Sequence, residues 1–194
     1  MLKNTIKKVF HKDFVHNIWK IEVNGYAQQM AVETRNPETT IPTFHIVNYK
    51  TGNTLMAYTP DAKEWTMESV QKDFLILKKV GDQAPTKEGI RVIRISTEDC
   101  LYTDYGHVLL DVFEDDLYVR PRSISQGGEI LLSIETGQLS VRANTSVDHL
   151  PNNRVIYPIP YPKVPAFLQG IAISDDACVS RIDNDHYVWA YHTQ

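Results

Sequence analysis

The chain has 194 residues, 42% hydrophobic and 23% charged, so it can bury a core of substantial size and is not expected to be disordered. Its formal net charge of −4, with Lys and Arg spread along the chain, argues against a general nucleic-acid binder, which needs a basic surface. No apolar run approaches the roughly 20 residues of a membrane helix, and we find no signal-peptide pattern. We therefore expect one cytoplasmic domain spanning residues 1–194, without membrane partners.

Short runs of β-branched and aromatic residues, separated by turn residues, predict strands along most of the chain. They group into three units of four strands each, at about 17–58, 64–104 and 107–143, and an irregular Pro-rich last unit at 154–194. The predicted strands are 17–23, 27–35, 43–49 and 54–58, then 64–70, 73–80, 90–96 and 100–104, then 107–113, 116–121, 129–135 and 138–143. A period of about 40–45 residues with four strands is typical of propeller blades.

One hairpin pattern recurs within these units. The segments 48–58, 94–104 and 133–143 each read as strand, turn and strand, so we expect three equivalent antiparallel hairpins. Gly52 and Gly137 occupy two of the turns and are predicted to have positive φ. The middle copy has Glu98 in place of glycine, and we expect it to turn differently.

Two strand segments, 73–80 and 107–113, are apolar on both faces, as expected for a blade that packs between two others. The predicted fold is therefore all-β, a propeller-like array of about four antiparallel blades; the alternative is a β-sandwich or barrel. Closure of such an array predicts that residues 5–10 lie in or beside the sheet containing the last apolar strand, 186–192.

The four prolines of segment 154–168 predict an extended connector, because proline donates no ladder hydrogen bond. Its Ile156, Ile159 and Val164 are expected to point inward.

The Thr-Gly turns with a following Leu resemble the blades of pyrroloquinoline-quinone-type propellers, through Thr51, Gly52 and Leu55, and through Thr136, Gly137 and Leu139. Over roughly residues 10–144 the chain also resembles a bacterial domain-of-unknown-function family with propeller-like repeats. The features that carry this second resemblance are an N-terminal "IW" strand, the "EW" pair at 64–65, and the segment from Pro85 to Ile90. The resemblance implies a propeller-like fold and no activity. The chain is too short for a quinone-binding hub, so no cofactor is expected.

Acidic residues cluster at Asp111, Glu114, Asp115 and Asp116, and again at 183–186, and we interpret both groups as turns rather than calcium sites. No zinc-ligand spacing occurs, so we expect no metal. Cys100 and Cys178 are expected to be free thiols. A nucleophilic pair of Cys100 with His107 is conceivable, but a small, half-buried thiol is favoured, and no catalytic residue is assigned.

The candidate ligand platform consists of the three tryptophans, Trp19, Trp65 and Trp189. The competing interpretation is that they pack in the core.

Three functions remain open at this point. The first is a non-catalytic binding or scaffolding module of β-propeller type, with a protein or small-molecule partner. The second is a small β-barrel or sandwich that binds an apolar ligand. The third is an all-β enzyme whose site is assembled from residues distant in sequence.

Overall fold

The computed structural model describes residues 11–81, 88–123, 128, 130–141, 159–161, 177–181 and 187–190. Every regular element in these ranges is a β-strand, and the strands form four antiparallel sheets, which confirms the all-β prediction. The chain divides into two compact units, Met1–Asn153 and Arg154–Gln194.

The first unit contains three four-stranded sheets, and in each sheet the strands lie side by side in chain order. Sheet 1 consists of β1 (Asn17–Asn24), β2 (Gln29–Arg35), β3 (Pro42–Asn48) and β4 (Thr54–Tyr58). Sheet 2 consists of β5 (Trp65–Gln71), β6 (Phe74–Lys79), β7 (Gly89–Arg94) and β8 (Cys100–Asp104). Sheet 3 consists of β9 (His107–Val112), β10 (Asp116–Pro121), β11 (Ile130–Ser133) and β12 (Leu139–Val141).

The second unit contains a three-stranded sheet made of β13 (Ile159–Tyr161), β14 (Ala177–Arg181) and β15 (Tyr187–Ala190). Ile159 is 63% exposed, so the prediction that it points inward is wrong. The other two expected anchors, Ile156 and Val164, lie outside the described residues. So do the acidic segment 183–185 and residues 5–10, on which the closure prediction depends.

The three recurring segments are all antiparallel hairpins, formed by β3–β4, β7–β8 and β11–β12. Each turn is closed by the same backbone hydrogen bond. The N–H of the last residue of the first strand donates to the carbonyl oxygen five residues later. The three donor–acceptor pairs are Asn48 and Asn53, Arg94 and Asp99, and Ser133 and Gln138, at 2.9, 2.9 and 3.0 Å.

Gly52 and Gly137 have φ values of 78° and 67°, which confirms the prediction for both. The expectation for the middle hairpin is wrong, because Glu98 has a φ of 62° at the corresponding position. The turn geometry is retained there even though a side chain makes that conformation unfavourable. The ladder bonds on either side of the turn over-determine its backbone and hold Glu98 in the left-handed region.

Two hydrophobic cores hold the three sheets of the first unit together, and sheet 2 contributes to both. The first core combines residues of sheets 1 and 2 with adjoining turns: Ala31, Phe44, Ile46, Met56, Trp65, Met67, Val70, Leu75, Leu77, Ile93 and Ile95. The second combines residues of sheets 2 and 3: Ile76, Ile90, Val92, Leu109, Val112, Leu117, Val119, Leu132 and Ile134. Burying one such large aliphatic side chain contributes about 1.5–3 kcal/mol.

Strand β6 is buried on both faces, as its apolar sequence predicts, because Leu75 and Leu77 enter one core and Ile76 the other. The same expectation fails for β9, where Leu110 is 43% exposed. Leu110 is the extra residue of a β-bulge in the β9–β10 ladder. Trp19 is likewise the extra residue in the β1–β2 ladder. Bulges re-aim side chains, and here they turn two large apolar side chains towards solvent.

Candidate functional site

The first unit has two different ends, because its strands alternate in direction. At the loop end β1, β5 and β9 begin, and the connectors include 36–41, 59–64 and 105–106. At the turn end lie the hairpin turns 25–28, 49–53, 72–73, 95–99, 113–115 and 134–138. Lys20 and Asn24 of β1 donate to the carbonyls of Met67 and Val70 of β5, so these two strands run side by side in the same direction.

A buried ion pair near the loop end joins sheets 1 and 2. Glu33 is fully buried, and its Oε1 lies 2.8 Å from Arg35 Nε and 2.6 Å from Arg35 Nη2. Its Oε2 accepts from Thr66 Oγ1 at 2.8 Å and from Met67 N at 2.9 Å. The carboxylate therefore receives hydrogen bonds at both oxygens, which compensates the loss of its hydration.

Arg35 carries this network to the surface of the loop end. Its Nη1 donates to Thr40 O and Lys63 O at 3.2 and 3.0 Å, and its Nη2 donates to Trp65 O at 3.1 Å. The guanidinium carbon lies 5.2 Å from the ring centroid of Trp19, which is 68% exposed. The planar guanidinium of Arg35 therefore covers one face of the exposed Trp19 ring in a cation–π contact.

A second arginine packs on the buried tryptophan. Arg91 Cζ lies 4.2 Å from the ring centroid of Trp65, and the Arg91 side chain is only 11% exposed. Its Nη1 donates to Asp61 Oδ1 at 2.8 Å and to Tyr58 Oη at 3.2 Å, and its Nε donates to Thr103 Oγ1 at 3.1 Å. This hydrogen bond from Arg91 holds the pKa of Asp61 below its ordinary value, so Asp61 is ionised at neutral pH.

Lys79 lies beside the same tryptophan, at the end of β6. Its Nζ is 5.8 Å from the ring centroid of Trp65 and 6.0 Å from that of Tyr105. A Cβ placed on Gly89 would come within 2.9 Å of the Tyr105 ring, so glycine permits this ring to lie directly on β7. Tyr105 is nevertheless 44% exposed.

These residues form a cation–aromatic cluster, defined here as Trp19, Arg35, Trp65, Lys79, Arg91 and Tyr105. Two of its three cations have a carboxylate partner, Glu33 and Asp61. Lys79 has none among the described residues. Its charge acts on Asp61 only at longer range, so the cluster offers an ammonium without a direct ion-pair partner beside exposed aromatic surface, which suits the recognition of an anionic group.

The turn end has a different character, because ion pairs link neighbouring turns there. Lys72 lies 2.6 Å from Asp115 and 3.2 Å from Glu114. Arg94 lies 3.3 Å from Glu135. Glu114 and Asp115 lie in the β9–β10 turn and pair with Lys72, as the turn interpretation expects. The other two members of that acidic cluster, Asp111 and Asp116, lie instead in β9 and β10.

The structure separates the three tryptophans of the predicted platform. Trp19 is exposed, whereas Trp65 is fully buried in the first core and therefore presents no surface to a ligand. Its Nε1 has no hydrogen-bond partner among the described residues. Trp189 belongs to β15, but its side chain lies outside the described residues.

Sequence reasoning missed Arg35, Lys79, Arg91 and Tyr105. The available signal is that Arg35, Lys79 and Tyr105 lie at a strand terminus or next to one, whereas Arg91 is the third residue of β7. Which termini meet depends on how the sheets pack, and the order of the residues alone does not give that.

The nucleophilic pair of Cys100 and His107 is not formed. Cys100 begins β8 at the turn end, and its Sγ lies 3.6 Å from Tyr102 O and from Thr103 Oγ1. His107 begins β9 at the loop end, where its Nδ1 lies 2.7 Å from Asp104 Oδ2. Asp104 Oδ1 also accepts from Gly106 N and His107 N, so this carboxylate caps the β8–β9 turn. Cys100 and Cys178 are both free, as expected, but Cys100 is exposed, so the expectation of a half-buried thiol is wrong.

No group of three or more His, Cys, Asp or Glu side chains is placed to hold a metal ion in the part of the chain that the structure describes. The described residues also include no helix with the length and apolarity needed to cross a membrane.

Comparison of the chain with protein-family models, with curated proteins and with solved structures found no match. The resemblance to pyrroloquinoline-quinone-type blades and to the bacterial domain family is thus neither supported nor contradicted.

Proposed function

We propose that this protein is a non-catalytic binding module of β-propeller type that docks a protein partner through its loop end. One observation carries the proposal: the loop end presents exposed Trp19 beside Arg35 and exposed Tyr105 beside Lys79. Tryptophan, tyrosine and arginine are the residue types that dominate the energetics of protein interfaces.

The arrangement of the cluster favours binding over a purely structural role. Glu33 holds Arg35 in place. Asp61, Tyr58 and Thr103 hold Arg91. The positions of both arginines are therefore fixed before a partner arrives. Such preorganisation lowers the entropy cost of association. Trp19 projects from a bulge, and the packing of the first core does not require it to be exposed.

The propeller part of the proposal is supported by the sheets of the first unit. Each has four antiparallel strands in chain order, and successive sheets share a core. Blades of a propeller are four-stranded sheets of this kind.

Photo-cross-linking tests the docking surface directly. A photoreactive benzoylphenylalanine replaces Tyr105 at the loop end, and in a matched protein it replaces Tyr26, which is exposed at the turn end. Both proteins are irradiated in a lysate of the source organism. We expect a discrete cross-linked partner from position 105 that is absent from position 26.

A second comparison ties that partner to the cluster. Trp19→Ala should abolish the cross-link from position 105, whereas Tyr26→Ala should leave it intact. Equal cross-linking from both ends, or a cross-link that survives Trp19→Ala, contradicts the proposal.

A further inference from the structure

Lys79 lies in an environment that a structural lysine does not need. A lysine at the end of a strand normally extends its ammonium into water or pairs with an acid. Lys79 instead lies beside the rings of Trp65 and Tyr105, and no carboxylate among the described residues forms an ion pair with it. Its charge acts on Asp61 at longer range, but its ammonium is not used in an ion pair there and remains available to a bound anion.

Arg91 supplies a second donor on the same face of sheet 2. Lys79 is opposite Gly89 in the β6–β7 ladder, and Arg91 follows Gly89 by two residues, so the two cations are diagonal neighbours. Arg91 uses Nε and Nη1 for Thr103, Tyr58 and Asp61, whereas Nη2 donates to none of the described residues.

We propose that Lys79 and Arg91 form an anion-binding subsite for a carboxylate group of the docked partner. This inference rests on the proposed function, because it names the chemistry that the loop end recognises. Tyr105, which lies on Gly89, provides the apolar wall of the subsite. An acidic side chain or a chain terminus of the partner carries the required group.

The charge balance favours a carboxylate over a phosphate. Asp61 pairs with Arg91 and also lies in the field of Lys79, so two cations and one carboxylate leave a single positive charge that a singly charged carboxylate neutralises. A phosphate with two negative charges leaves an excess negative charge close to ionised Asp61, which repels it.

Titration with small anions tests the subsite without knowledge of the partner. Acetate and inorganic phosphate are added at constant ionic strength, with chloride as the balancing anion. The backbone amide signals of Lys79 and Gly89 are followed by NMR. We expect a saturable shift with acetate and weaker binding of phosphate.

Lys78 provides a matched control, because it is the preceding residue of β6 and faces the opposite side of the sheet. Lys79→Gln should weaken acetate binding by at least about tenfold, the loss expected for one charge-assisted hydrogen bond. Lys78→Gln should leave binding unchanged, and Lys79→Arg should retain it.

Three results overturn the inference: no saturable shift, equal weakening by Lys78→Gln and Lys79→Gln, or tighter binding of phosphate than of acetate. The last result assigns the subsite to phosphate groups instead. Acetate binding without any cross-link from position 105 retains the subsite and removes the docking function. A cross-link from position 105 without acetate binding retains the docking function and removes the subsite.

Discussion

The two ends of the first unit are built from the same strands but differ in how their charges are paired and in which side chains they expose. At the turn end, short hairpin turns are closed by repeated backbone bonds, and the described ion pairs join neighbouring turns. At the loop end, longer connectors surround a buried ion pair, and aromatic side chains remain exposed beside a lysine without a described acid partner. The contrast indicates that the turn end closes the individual hairpins, whereas the loop end joins sheets 1 and 2 through a buried carboxylate and also leaves aromatic side chains exposed.

The largest effect should come from removing the buried carboxylate of Glu33. Glu33→Ala leaves the Arg35 guanidinium without its partner, and it removes the acceptor of Thr66 Oγ1 and Met67 N. Breaking a buried pair from one side costs about 3–5 kcal/mol of unfolding free energy. Urea denaturation measures this loss.

Glu135→Ala is the matched change at the turn end, because Glu135 also pairs with an arginine but is exposed. We expect a loss below about 1 kcal/mol. Similar losses for the two variants contradict the view that the buried pair, rather than the turn-end pair, holds the sheets together.

The next effect concerns a glycine at the turn end. Gly137→Ala should cost about 1 kcal/mol or more, since its φ is 67° and a Cβ would lie 3.2 Å from the Tyr102 ring. Gly106 at the loop end has no positive φ, so Gly106→Ala should cost less. Denaturant titration of both variants decides the matter, and a larger loss at position 106 refutes the assignment.

Glu98 offers a change in the opposite direction. Placing a non-glycine residue in the left-handed region lowers the free energy of unfolding by about 1–2 kcal/mol. Glycine avoids this strain but loses more backbone entropy on folding, which costs about 0.5–1 kcal/mol. Glu98→Gly should therefore stabilise the protein by up to about 1 kcal/mol. Glu135→Gly in the third hairpin serves as the control, because Glu135 has no positive φ to relieve. If Glu98→Gly destabilises the protein as much as the control does, the strain is absent.

The strands could be predicted from the sequence because their signals are local. Turn residues such as Asn24-Gly25 and Thr136-Gly137 mark strand ends, and the apolar faces of 73–80 require two packing partners. The turn at Glu98 could not be predicted from composition, since it is the flanking ladder that forces the conformation. Local propensity gives way where tertiary constraints over-determine the backbone.

The candidate site was largely hidden for a related reason. Trp19 and Trp65 are conspicuous as residue types, but their exposure depends on a bulge in one ladder and on the packing of two sheets. The contact of Lys79 with Tyr105 joins the end of β6 to the connector after β8. No periodicity in the sequence predicts a contact between two such distant segments.

The smallest effect compares one carboxylate at each end. The hydrogen bond from Arg91 lowers the pKa of Asp61 at the loop end. At the turn end, burial raises the pKa of Asp116, and the nearby charge of Asp115 raises it further. On acidification Asp116 should therefore become protonated first, above the ordinary value of about 3.9, and Asp61 only below that value.

The two shifts have opposite consequences for stability. The contribution of Asp61 is complete above its ordinary pKa and is lost as the pH falls through its lowered pKa. Ionised Asp116 is unfavourable at neutral pH, and this cost disappears as the pH falls through its raised pKa. An NMR titration of the carboxyl carbons measures both groups. Arg91→Gln should return the pKa of Asp61 towards its ordinary value and leave Asp116 unchanged, whereas an Asp61 that titrates before Asp116 in the unmodified protein reverses the comparison.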